Sequence, residues 1–225
     1  EDNFELFFKA DNYGADVSGV ARLSMGFTAN NLSGYGDKLS VEGLKTFDSG
    51  DLSSVRISYE ITESELIHTF GLDFSESWYD IQGSLKNLGI DGDIEIGQLY
   101  MRSQWLKSRD LNVSTQISLA LKRSNIFIGQ LNRDEGVDRL AVARASLVAE
   151  GASILLRGIY LARLSISQGL NNSFGSMNSR GNNDSLTQAI DGTNTLSGEF
   201  FKYNTCYTFL RTLSRNHSLF IHLNG

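Results

Sequence analysis

The sequence predicts an all-β chain, and among all-β folds an antiparallel up-and-down transmembrane β-barrel. Three observations point there: period-two alternation of apolar and polar residues, predicted strands of about ten residues, and connections that alternate between short and longer. In the stretch 20–30 the residues Ala21, Leu23, Met25, Phe27 and Ala29 are all apolar. Arg22, Ser24, Gly26, Thr28 and Asn30 between them are polar or glycine. Period two is the signature of a strand with one apolar and one wet face. Such a strand suits either a soluble sandwich, whose apolar side is core, or a barrel whose apolar side meets lipid around a polar lumen.

In chain order, the first strand is predicted over Phe4–Asp11, with Gly14 to Gly19 as the link to the second, Val20–Asn30. Residues 32–37 form a turn in which Gly34 and Gly36 are able to take positive φ. The third strand, Lys38–Thr46, sets Leu39, Val41 and Gly43 against Ser40, Glu42 and Leu44. In the fourth, Ser54–Ile61, Val55, Ile57, Tyr59 and Ile61 oppose Arg56, Ser58 and Glu60. After a turn at Thr62 to Glu65 comes a fifth strand, with Phe70, Leu72 and Phe74 against Gly71, Asp73 and Ser75, and then a longer connection from Gln82 to Gly92.

The sixth strand, Asp93–Arg102, alternates weakly, and a bulge near Gly97 is the expected cause. The seventh alternates most cleanly: Leu111, Val113, Thr115, Ile117, Leu119 and Leu121 against Asn112, Ser114, Gln116, Ser118 and Lys122. The eighth is Asp138–Ala149, with Ala141, Ala143 and Ala145 on one face and Arg144 on the other; Glu150–Ala152 turns it into the ninth, where Leu156, Tyr160, Leu164 and Ile166 oppose Arg157, Arg163 and Ser165. Asn171 to Ser197, rich in Asn, Ser and Gly, has no periodicity and is a long polar loop. Phe201 to Phe209 mark a tenth strand, in which Cys206 shares the polar side with Lys202 and Asn204, and Leu219, Ile221 and Leu223 start an eleventh.

The connections favour the barrel. Those around Gly34, Ser64, Gly151 and Asn216 are short, and those around Leu85, Leu131 and Met177 longer. That asymmetry, with strands of about ten residues, marks an outer-membrane barrel, since soluble strands average nearer five or six. Aromatics near strand ends (Phe4, Tyr35, Phe47, Trp78, Tyr79, Trp105, Phe201, Tyr207) suit interfacial girdles, or else ordinary core packing.

At 225 residues one domain is expected. With 40% hydrophobic residues and a mean hydropathy of −0.20 no segment approaches a spanning helix. The net charge of −6, with basic residues scattered among acids, argues against a nucleic-acid partner. The single cysteine, Cys206, has no internal disulfide partner. Proline is absent although average usage of about 5% predicts roughly ten. Uninterrupted strands explain the direction of that bias. The chain begins at Glu1 without methionine and ends inside a predicted strand, so it is expected to be a piece of something larger.

Asp11-Asn12-Tyr13-Gly14, Ser18-Gly19, Arg22, Asn31 and Gly36-Asp37-Lys38-Leu39-Ser40 resemble the barrel start of TpsB transporters, the FhaC/ShlB/HecB group of two-partner secretion. Tyr59 in Ser58-Tyr59-Glu60-Ile61 stands where that family ends a strand in Ser-Tyr. Leu99-Tyr100-Met101-Arg102-Ser103 is similar to its Tyr-Pro-Leu-Ile-Arg-Ser element without the proline, and Arg109 to Val113 fits the strand that follows.

The resemblance implies a monomeric sixteen-stranded barrel in the bacterial outer membrane, preceded by periplasmic POTRA domains, that exports a large secreted partner of the haemolysin or adhesin type. On that template residues 1–225 are the first two thirds of the barrel, about eleven strands. They stop before the family's Val-Arg-Gly-aromatic loop, for which Arg180-Gly181 is no substitute. A passive porin, an adhesin scaffold and a soluble β-sandwich binding module are the alternatives.

No enzyme constellation stands out and no cofactor is expected. His68, His217 and His222 lack metal-ligand spacing, since the last two fall on opposite faces of one strand. Asp91-Gly92-Asp93 suggests calcium only loosely and reads as a turn. Arg22, Arg56, Glu60, Asp73, Arg157 and Arg163 all fall opposite the apolar stripe. They are expected to line the lumen as the transport path, because an arginine facing lipid at the midplane would cost about 2–4 kcal/mol.

Overall fold

A computed structural model describes residues 3–47, 50–63, 67–129, 136–153, 158–178, 197–214 and 217–225. Eleven strands follow in order: β1 (Phe4–Asp11), β2 (Ala21–Asn30), β3 (Asp37–Phe47), β4 (Asp51–Thr62), β5 (His68–Ile81), β6 (Ile90–Lys107), β7 (Leu111–Ile128), β8 (Gly136–Ser153), β9 (Gly158–Gly169), β10 (Phe201–Ser214) and β11 (His217–Asn224). Each pairs antiparallel with its neighbours in sequence, giving one eleven-stranded sheet. No pairing between β1 and β11 closes it among the described residues.

A sandwich would bury the apolar face between layers. Here Phe8 is 68% exposed, Leu99 57% and Ile117 57%, all on the face that carries Leu23 and Ile57. A soluble protein leaves no apolar surface of that extent in water, so the face is built for a non-aqueous neighbour. In barrel geometry it is the outer face, and the polar one is the inner.

Connections at one end are short (residues 31–36, 63–67, 108–110, 154–157 and 215–216). Those at the other are longer, residues 48–50 excepted, and include residues 82–89, with a 3-10 helix at Gly83–Leu88, and residues 170–200. In the turn at 31–36, Asn31 Oδ1 accepts from the Gly36 amide at 2.9 Å, while the Asp37 carboxylate accepts from the Ser33 amide at 2.9 Å and hydroxyl at 2.7 Å. Asp37 itself is buried.

Three expectations are corrected. No bulge occurs at Gly97, which pairs regularly with Phe74 and Leu121; the register shift lies between Gln104 and Leu106. There Trp105 donates its indole N–H to Thr115 Oγ1 at 2.7 Å and meets the His68 ring edge-on at 6.3 Å. The alternation is weak because the apolar phase changes sides: Asp91, Asp93 and Glu95 share the outer face with Leu99 and Met101, while Ile90, Ile94 and Ile96 point inward.

Secondly, Asp91-Gly92-Asp93 is strand within β6 and not a turn, although the longer connection was expected to reach Gly92. Thirdly, β8 continues through Gly151 to Ser153 instead of turning at Glu150–Ala152. A Cβ on Gly151 would lie 2.1 Å from the Asp110 carbonyl oxygen, so this glycine serves close approach and not a turn.

Candidate functional site: the inner wall

Wide inner-facing rings would crowd a lumen unless they lie flat. Phe7 pairs with Gly26, Tyr100 with Gly71 and Tyr79 with Gly92, and in each pair the ring lies where a glycine Cβ would be, between 2.1 and 2.9 Å from its ideal position. Aromatic rings folded over cross-strand glycines keep the strand continuous and the wall smooth. Tyr79, expected in a girdle by its position near a strand end, is therefore an inner-wall residue.

Five of the six predicted lumen residues, Arg22, Arg56, Glu60, Asp73 and Arg163, share the inner face by register; Arg157 lies outside the described residues. Arg180-Gly181 does so as well. The charges are paired laterally along the wall. Arg22 donates from Nε and Nη2 to the Asp11 carboxylate at 2.7 Å each, and the same carboxylate accepts from the Tyr13 amide at 3.1 Å. Arg56 reaches Asp73 at 2.8 Å from Nε and 2.7 Å from Nη2. The Tyr100 hydroxyl donates to Glu60, whose carboxylate also lies 3.9 Å from Arg102 Nη2. Arg102 sits 5.6 Å over the Tyr100 ring and donates to Gln116 Oε1 at 3.4 Å.

Arg163 belongs to a second group. With Arg102 and Arg144 it lines a hollow of about 580 Å³ on the inner face, completed by Gln116, Ser165 and Asn204 and with no carboxylate in its lining. Arg144 donates to Ser167 Oγ at 3.0 Å. Arg102 and Arg144 were not picked out as lumen residues from the sequence. Strand parity would have found both, once Arg102 was counted with Gln98 and Tyr100 and the small-residue face of β8 recognised as its outer one.

The motif residues have structural work at the wall's ends. Asp11 holds Arg22, Asn12 is exposed, and the Gly14 amide donates to the Val20 carbonyl at 3.0 Å. Gly19 has φ +99° with the Thr46 side chain against it, a conformation and a space that exclude other residues. Gly36 and Asp37 close the turn at 31–36. Tyr59 lies on the outer face opposite Leu72, and the buried Ser103 hydroxyl bonds His68 Nδ1 at 2.8 Å.

The sequence profile of the haemolysin secretion/activation proteins ShlB/FhaC/HecB matches residues 1–219. The chain belongs to this family. Among curated relatives, the heme/hemopexin transporter protein HuxB of Haemophilus influenzae strain 86-028NP is 27% identical over 115 residues, 51% of this chain and 20% of HuxB. HuxB of strain KW20/Rd is 26% identical over 132 residues, 56% of this chain and 23% of HuxB. Among solved structures, CdiB from Escherichia coli superposes with a TM-score of 0.78 at 15% identity, over 100% of this chain and 41% of that one. The matches thus span about a fifth of HuxB and two fifths of CdiB. The fold is that of the family's transmembrane β-barrel, and the chain supplies eleven consecutive strands of it.

Proposed function

We propose that the chain is the first eleven strands of a sixteen-stranded, monomeric outer-membrane barrel that exports a large partner protein of the haemolysin or adhesin type by two-partner secretion. In the complete protein, POTRA domains precede this wall and further strands close it. Family membership supports the activity, and the state of the inner charges supports the mechanism.

Asp11–Arg22 and Asp73–Arg56 neutralise one another across neighbouring strands, and Glu60–Arg102 do so across the intervening β5. Ion pairs exposed to water contribute only about 0–1 kcal/mol each to stability. Their larger effect is on the surface: a polypeptide in transit meets hydroxyls, amides and already partnered charges, so it is wetted without being held. The Arg102–Arg144–Arg163 hollow is the exception: Arg102 there has Glu60 beside it, but Arg144 and Arg163 meet no carboxylate in its lining and make it a weakly attractive stop for acidic side chains in transit. Export on this reading runs without nucleotide chemistry, and folding of the cargo outside supplies direction.

The test is secretion of a large exoprotein encoded beside the complete protein, combined with planar-bilayer conductance. Secretion that depends on the protein, with water-filled conductance, is expected. A protein that conducts but exports nothing would be a passive porin, and one that does neither would refute the pore.

A further inference from the structure

On the outer face of β5 to β8 the unbroken apolar surface reaches a row formed by Phe74, Gly97, Leu121 and Ala141, beyond which Trp78, Phe127 and Val137 are the apolar outer residues among the described ones. The next row toward the longer connections is Glu76, Glu95, Arg123 and Arg139, with Arg123 and Arg139 directly paired across β7 and β8. At this boundary lies a slot of about 470 Å³. Gly97 is its floor, since nothing lies within 4 Å of where its Cβ would be. Phe74 and Leu121 line the apolar end and the two arginines the polar end.

Residues 170–178 close the side: the Met177 amide donates to the Arg139 carbonyl at 2.9 Å and the Leu170 amide to the Ala141 carbonyl at 2.8 Å. Phe174, 68% exposed, also lines the slot. Glu95 is the one acid in the lining, 3.8 Å from Arg123. That acid stands beside Arg123, and the lining holds no second carboxylate for Arg139.

We infer that this slot binds lipopolysaccharide, with a lipid A phosphate on Arg123 and Arg139 and an acyl chain laid over Gly97 between Phe74 and Leu121. The chemistry selects an amphiphile with an anionic head, because two arginines at directly paired positions in one lining suit a phosphate and the floor beside them is apolar. Position selects the source. In an outer-membrane barrel the longer connections face outward, and lipopolysaccharide forms the leaflet on that side. The inference rests on the outer-membrane orientation given above and not on export.

The experiment titrates the complete protein, purified in detergent and stripped of lipid, with lipid A, dephosphorylated lipid A or phosphatidylglycerol, and reads adducts by native mass spectrometry. Wild-type protein is expected to retain lipid A, and to bind it roughly tenfold or more tightly than the dephosphorylated form, the scale of losing a charged hydrogen bond. Arg123→Ala with Arg139→Ala should weaken lipid A to the same degree. Gly97→Phe, which fills the floor and keeps both arginines, should weaken it too.

Equal binding of lipid A and its dephosphorylated form by the wild type would overturn the inference without any variant. So would phosphatidylglycerol held as tightly as lipid A, or a folded double variant that binds like wild type. A barrel that binds lipid A but exports nothing leaves this site standing and retires the transport reading; one that exports yet ignores lipid A does the reverse.

Discussion

The two halves of β6 follow one backbone geometry and opposite polarity rules. From Gly97 to Met101 the outer positions are Gly97, Leu99 and Met101, and the inner ones between them are Gln98 and Tyr100. From Ile90 to Ile96 the outer positions are Asp91, Asp93 and Glu95, and the inner ones are mostly isoleucine. Pairing with β5 is unbroken from Ile90 to Ser103, so no slip in register separates the halves. The proposed cause is a change in the neighbour of the outer face, from acyl chains to water. Strand β6 has 18 residues, as do β7 and β8. A tilted crossing needs only about 9–11, so the surplus stands clear of the lipid.

Single charges should separate the halves most strongly. Leu99→Arg places a guanidinium in the lipid-facing row and should cost about 2–4 kcal/mol. Glu95→Leu, four residues away on the same face, should stay within about 0.5 kcal/mol. Urea titration of the complete barrel folded in bilayers, followed by its gel mobility without heating, reads both. Similar costs would mean that the lipid does not stop at the Gly97 row.

Next in size is a comparison of glycines. Gly71→Val drives a side chain into the Tyr100 ring, whose nearest atom is 2.2 Å from the ideal Cβ. Overpacking of that kind costs about 1–3 kcal/mol, and it would displace Tyr100 from Glu60. Gly97→Val enters open space and should change the same urea midpoint little. A mild Gly71→Val would show that Tyr100 is free to leave the wall.

The smallest effect on stability is expected at the inner pairs. Asp73→Asn leaves Arg56 without its carboxylate partner, at a cost of about 0–1 kcal/mol. Its reading is electrical: the reversal potential across a planar bilayer under a salt gradient should move toward anion preference. An unchanged reversal potential would place Arg56 and Asp73 away from the ion path.

Strand order and the facing of most residues were legible because period two is written directly into β2, β4 and β7. The inner side of Arg22, Arg56, Glu60, Asp73 and Arg163 followed from it. Where polarity reports the surroundings as well as the fold, the sequence misled. The inverted phase of β6 read as a bulge, and Gly151 read as a turn although it serves close backbone approach. Lateral partners were not legible, since Asp11 meets Arg22 and Glu60 meets Tyr100 only through cross-strand register, which a single strand's pattern does not carry. Nor was Phe7 explicable until Gly26 was seen beneath it.

The central claim is that one outer face meets lipid only as far as the Gly97 row, while the inner face is wet throughout. Single spin labels placed along β6, in the complete protein with Cys206 replaced by serine and reconstituted in bilayers, test it through collision with oxygen or with a water-soluble nickel chelate. The account predicts oxygen-dominated relaxation at Leu99 and Met101, and nickel-dominated relaxation at Gln98, Tyr100, Asp93 and Glu95. Oxygen-dominated signals at Asp93 and Glu95, or nickel-dominated ones at Leu99 and Met101, would contradict it.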